Sequence, residues 1–158
     1  MDIAALIYFV AFAAFAITGA VFDWRSRIIP NWLNLAFLVV GLVLALVMFG
    51  WQPAVSNLAH FAIALAAAIL LFAFRLWGGG DAKFYAASAA WFSLEHIIGL
   101  FVSIAIAGLV LVLFWIGLKR VSGEKLKRGA KELPYGIAIA AGGLLMQLSN
   151  PAINFFMG

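Results

Sequence analysis

Two aspartates in this chain stand where a carboxylate is costly to keep. Asp23 directly follows a long uncharged run, residues 3–22, and Asp81 sits between Gly78-Gly79-Gly80 and the start of another apolar stretch. An ionisable group at the end of such a run costs a few kcal/mol unless it is paired or hydrated, which makes both aspartates candidates for chemistry. Two carboxylates sharing one site cannot both ionise cheaply, so one keeps its proton near neutral pH while the other acts as a base on water. The apparent pKa values then belong to the pair. Such a pair hydrolyses peptide bonds in aspartyl proteases. Other hydrolytic devices are missing: the chain has no cysteine and contains neither an HExxH nor a GxSxG element.

The elements that must hold these aspartates follow from composition. A chain of 158 residues that is 67% hydrophobic and 10% charged has too little polar surface to coat a water-soluble globule. Runs at 3–22, 32–50, 58–77 and 97–118 approach or exceed the roughly 20 residues a helix needs to cross about 30 Å of hydrocarbon. Two weaker segments, 82–94 and 134–156, are shorter or interrupted by Pro134, Gly136 and Asn150-Pro151. No run alternates as a barrel strand would, so the sequence predicts an all-α membrane bundle of about six transmembrane helices forming a single domain, residues 1–158. The first run is read as a retained helix, since no Lys or Arg precedes it and it is too long for a signal-peptide core.

If the six segments alternate, all ten Lys and Arg residues fall on one side, which the positive-inside bias makes cytoplasmic, with both termini outside. Trp24, Trp32, Trp77 and Trp115 then lie near inner helix ends, and Trp51 and Trp91 near outer ones, as an interfacial belt. Asp23 and Asp81 share the inner edge. His60 and His96 fall near outer ends, are expected at the interface, and receive no role. The basic loop 119–132 reads as a solvated segment that orients the protein and meets anionic headgroups; no nucleic-acid partner is expected.

Each residue also has a plainer reading. Asp23 could pair with Arg25 or Arg27, and Asp81 could cap the helix it precedes. Three glycines let a chain or ligand approach the backbone closely, as in a substrate groove. Pro30 turns the chain before the second helix, where Asn31 could cap it, and Lys83 could orient the site or snorkel to headgroups.

Asp23-Trp-Arg-Ser-Arg-Ile-Ile-Pro-Asn31 resembles the D-x-R-x-x-x-I-P-N signature of type IV prepilin peptidases. Gly78-Gly79-Gly80-Asp81-Ala82-Lys83 is similar to their GxGD-x-K motif, and Pro134-Tyr135-Gly136 to their last-helix motif. The resemblance implies an aspartyl endopeptidase of the bacterial inner membrane that cuts the leader from prepilins or pseudopilins at the cytoplasmic face. Asp23 and Asp81 would be the catalytic pair. Gly78, Gly79, Gly80, Lys83, Arg25, Pro30, Asn31, Pro134, Tyr135 and Gly136 would shape the site or bind substrate, with no metal and no cofactor. Long members carry a tetracysteine zinc domain between the first two helices and also methylate the new N-terminus. This chain has only residues 23–31 there and no cysteine, so it resembles the short branch that serves Flp-type pili, and methyltransferase activity is not expected.

Two other classes compete. Membrane aspartates also serve ion- or proton-coupled transporters, but these two share one edge rather than the midplane, and the chain halves show no repeat. A non-catalytic pilus or secretion assembly component could use Gly99, Ser103, Gly108 and Gly117 as a packing face, yet would leave the motifs without a use. Membrane lipids are the other expected partners; the sequence leaves the oligomeric state open.

Overall fold

In the computed structural model, residues 3–121 and 133–149 are described. Among them run α1 (Ile3–Ser26), α2 (Asn31–Phe49), α3 (Trp51–Ala73), α4 (Gly79–Ala89), a 3-10 turn (Leu94–His96), α5 (Ile97–Val121) and α6 (Tyr135–Ser149). No strand occurs among these residues. Most of the basic loop, the Asn150-Pro151 interruption, and Asp2, Glu124 and Glu132 lie outside the described residues.

Among the described residues, four stretches are long and apolar enough to cross a membrane: α1, α2, α3 and Leu94–Leu118. The shorter apolar helix is α6. Their outer faces carry Val10, Ile17, Val43, Leu109, Val110 and Leu113 to the surface, a pattern that suits hydrocarbon rather than water as solvent. The helix breaks sit where the backbone leaves right-handed geometry. Gly50 at φ 96° forms the one-residue hinge between α2 and α3, a conformation that glycine adopts without strain. Arg27 at φ 56° precedes α2, and Arg75 at φ 58° precedes α4.

Two boundaries differ from the sequence expectation. Asp23 lies inside α1, which continues to Ser26, because three more residues keep helical geometry before Arg27 reverses the chain. The segment expected over 82–94 is not one helix: α4 starts at Gly79 and ends at Ala89. An 11-residue helix is too short to span, and it need not do so, because Ala82 and Phe84 through Ala89 are all buried among the longer helices. Trp91 and Phe92 then fold back into the core, with Trp91 Nε1 donating to the Phe37 carbonyl at 2.9 Å and Tyr8 donating to the Trp91 carbonyl at 3.0 Å.

The core is aromatic. Phe12, Phe37, Phe84, Trp91 and Phe92 are almost fully buried, with Phe37 packed on Phe12 and Phe84 at centroid distances of 5.4 and 5.6 Å. Gly19 sets how closely α1 meets α4, since a Cβ there would lie 2.3 Å from Phe84 Cζ. Gly19 is one turn from Asp23 on α1, and Phe84 is about one turn from Asp81 on α4, so this contact brings both aspartates to the same end of the bundle.

His60 is not interfacial as the sequence suggested. It is completely buried, with Nδ1 3.1 Å from the Phe92 carbonyl, because the folded-back segment after α4 supplies a partner inside the bundle. On α5, a Cβ on Gly99 would meet Met146 and one on Gly108 would meet Ala138, so these two glycines serve packing against α6; Gly117 faces open space.

Candidate active site

The ends of α1 and α3 and the starts of α2, α4 and α6 meet at one end of the bundle. Asp23 is only 6% exposed there, and its Oδ2 accepts the Gly136 N–H at 2.7 Å across 113 positions of sequence. The first N–H groups of a helix have no acceptor within it and carry the positive end of its dipole. Pro134 and Tyr135 start α6, so Gly136 contributes one of these orphan donors, and a carboxylate from α1 completes the N-terminus of α6. Only glycine fits at 136: a Cβ would lie 2.8 Å from Asp23 Cβ and 2.9 Å from its Oδ2.

Asp81 occupies the third position of α4, not the capping position, which is Gly78. Its half-buried carboxylate turns back to accept the Gly78 backbone N–H, and a Cβ on Gly78 would lie 2.9 Å from Asp81 Oδ2. Burial first, and the nearby charge of Asp23 second, push Asp81 up to about 6, while the Gly78 hydrogen bond acts in the opposite direction. Thus two helix N-termini, those of α4 and α6, each hold one carboxylate.

Both carboxylates line a single cavity of about 670 Å³, together with Arg27, Arg75, Trp77, Gly78, Leu133 and Tyr135. No arginine closes an ion pair on Asp23 among the described residues; Arg27 acts on it through space and stacks over Trp115 with Cζ 5.9 Å from the ring. The simple salt-bridge reading of Asp23 therefore does not describe it.

The other sequence candidates divide. Asn31 does not cap α2, where Pro30 takes that position; its Oδ1 accepts a hydrogen bond from Lys83 Nζ at 2.9 Å and ties the start of α2 to α4. Gly80 faces Ile29 and Gly79 faces Phe72, and a Cβ at either position would make only ordinary contact, 3.8 Å from the Ile29 nitrogen and 3.5 Å from the Phe72 ring. Pro134 is buried, and Tyr135 lines the cavity. Arg25 is exposed on the last turn of α1 and is not brought to the cavity.

Arg27, Arg75, Trp77 and Leu133 were not expected to line the site: the sequence offered Arg27 only as a salt-bridge partner of Asp23 and Trp77 only as an interfacial residue. The spacing of Arg27, four positions after Asp23, carries a signal that becomes readable only once α1 is known to extend to Ser26. Arg75 gave none, and Trp77 gave only its place near an inner helix end.

Comparison with known proteins bears on this arrangement. The family model described as the type IV leader peptidase family matches residues 10–116. The chain is 29% identical over 145 residues to a prepilin leader peptidase/N-methyltransferase of Pectobacterium carotovorum subsp. carotovorum, an alignment covering 87% of this chain and 49% of that protein. The chain thus spans about half the length of the curated relative it matches. No solved structure matches it significantly. The family model covers more than half of the sequence, including both aspartates that meet in the cavity, and the chain belongs to the type IV leader peptidase family.

Proposed function

We propose that this protein is an aspartyl endopeptidase that removes the leader from prepilins or pseudopilins of the Flp type at the cytoplasmic edge of the bacterial inner membrane. The observation that carries the proposal is the convergence of Asp23 and Asp81 on one cavity, each at a helix N-terminus. The Gly136 N–H holds Asp23 Oδ2 in place at 2.7 Å, and Asp23 acts as the base. Asp81 holds the proton. Asp23 takes a proton from a water molecule as its oxygen attacks the scissile carbonyl carbon, while Asp81 gives its proton to the carbonyl oxygen. Collapse of the tetrahedral intermediate breaks the C–N bond, the departing nitrogen takes up a proton from Asp23, and the O–H proton returns to Asp81. The products are a leader carboxylate and a free amine. Methyl transfer is not part of the proposal, because residues 27–30 alone join α1 to α2.

A sign follows for pH. Asp81 must be protonated, so kcat/KM is expected to fall as pH rises through the upper pKa of the pair, about 6, well beyond the ordinary carboxylate range. A pH profile of kcat/KM in liposomes measures this. An alkaline limb near 4 would be contrary to it.

The substrate has an apolar segment that must reach the cavity from the bilayer. Trp77 and Tyr135 line both the carboxylate cavity and a second, apolar groove of about 270 Å³ between α5 and α6, floored by Ala105, Gly108 and Ala138. This continuity supports lateral entry along α5 and α6. Gly108→Phe, which fills the groove, is expected to raise KM about tenfold with kcat little changed, whereas Gly108→Ala, whose Cβ would sit 3.7 Å from Ala138, is expected to be neutral. Initial rates across substrate concentration check both.

Purified protein in liposomes with a Flp-type prepilin tests the function itself. Cleavage is expected. Ion flux that depends on Asp81 without any cleavage would replace the peptidase by a transporter.

A further inference from the structure

Lys83 lies two residues beyond Asp81, roughly 200° around α4, and opens onto a separate cavity of about 320 Å³ between α2, α3 and α4. One end of this cavity is polar, with Asn31, Asn34 and Lys83. The other is apolar, with Leu35, Leu38, Phe61, Leu65, Ala86 and Ala87. Helices α2 and α4 both begin at the basic end of the bundle, so the cavity runs from polar to apolar with depth, over about 10 Å from Asn31 to Leu38. Its lining carries a cation and two amides but no acidic side chain among the described residues.

Asn34 is the feature that bundle packing leaves unexplained. It is 6% exposed, and neither its Oδ1 nor its Nδ2 has a hydrogen-bond partner. An unpartnered amide is expensive where no water can reach it, and an apolar residue of similar size would avoid that cost. Lys83 Nζ donates to Asn31 Oδ1 at 2.9 Å, and an ammonium has two further N–H donors to offer.

We infer that this cavity binds one anionic phospholipid, with the headgroup phosphate on Lys83 Nζ, the Asn34 amide, which no partner holds in its buried position, turned out to donate to it, and the upper acyl chain along Leu35, Leu38, Phe61 and Leu65. The cation selects negative charge, the amide gains the partner it lacks, and the apolar end matches a chain that points into the bilayer. A lipid held there also braces the Lys83–Asn31 link, which joins the segment after Asp23 to the helix that carries Asp81.

Binding is read without reference to cleavage. Native mass spectrometry of the full chain in neutral detergent, titrated with phosphatidylglycerol or phosphatidylethanolamine, is expected to show one phosphatidylglycerol retained with at least about a tenfold preference. Asn34→Leu and Lys83→Gln are each expected to abolish the preference. Thermal melting checks that the variants fold; if Asn34→Leu does not, Leu38→Trp, which blocks the apolar end, is expected to give the same loss. Equal retention of the two lipids by the wild type, or undiminished preference in folded Asn34→Leu or Leu38→Trp, would overturn the assignment.

Discussion

Asp23→Asn and Asp81→Asn are each expected to lower kcat by at least about 10³-fold, and the double variant to be no slower than the worse single variant. In the proposed mechanism each carboxyl performs a proton transfer the other cannot: one removes the proton from water, the other protonates the carbonyl oxygen. Groups that act as a unit lose their joint effect when either is removed, so the two losses do not add. Asparagine is the informative replacement, because its side-chain oxygen still accepts the Gly136 N–H at position 23 or the Gly78 N–H at position 81. The fold and the N-termini of α6 and α4 are therefore expected to survive while the acid–base function is lost. Single-turnover cleavage in proteoliposomes, with thermal melting of each variant, separates the two effects. A double variant slower than the wild type by the product of the two single losses would mean that the aspartates act at independent sites.

Gly136→Ala is expected to cost about 10²-fold in kcat/KM, although the glycine side chain carries no reacting group. The added Cβ would lie 2.8 Å from Asp23 Cβ, so either the carboxylate or the start of α6 must move. A displacement on the order of 1 Å is enough to misplace a catalytic group by that factor. Gly117→Ala is the matched control, since a Cβ there meets nothing within 4 Å, and it is expected to leave the rate unchanged. Steady-state kinetics of the two variants side by side measure the contrast. Equal rates would show that the Gly136–Asp23 contact has no part in positioning the carboxylate.

The sequence made the membrane bundle and the two aspartates legible because both depend on strong, local signals. Uncharged runs about 20 residues long seldom arise except as membrane helices, and an aspartate at the end of one is conspicuous. Residues whose role depends on distant partners are harder to read. The hydrogen bond that joins Gly136 to Asp23 spans most of the chain, and the motif resemblance at Pro134-Tyr135-Gly136 marks the position without its reason. Asn31 looks like a cap because it precedes an apolar helix, but Lys83 from α4 takes its side chain. Apolar composition alone carries the fourth segment on to residue 94, whereas α4 ends at Ala89, stabilised by burial among the surrounding helices rather than by length. His60 reads as interfacial for a related reason: the carbonyl that meets it comes from the chain folding back after α4. Asn34, hidden within an apolar run, gives no signal until its amide proves to lack a partner.

The most direct test is the mass of a Flp-type prepilin recovered from membranes after co-expression with the wild type, Asp23→Asn or Asp81→Asn. The expected result is a pilin shortened by its leader, with an unmethylated N-terminus, with the wild type alone. Leader removal by either variant, correctly inserted, would contradict the paired-aspartate mechanism.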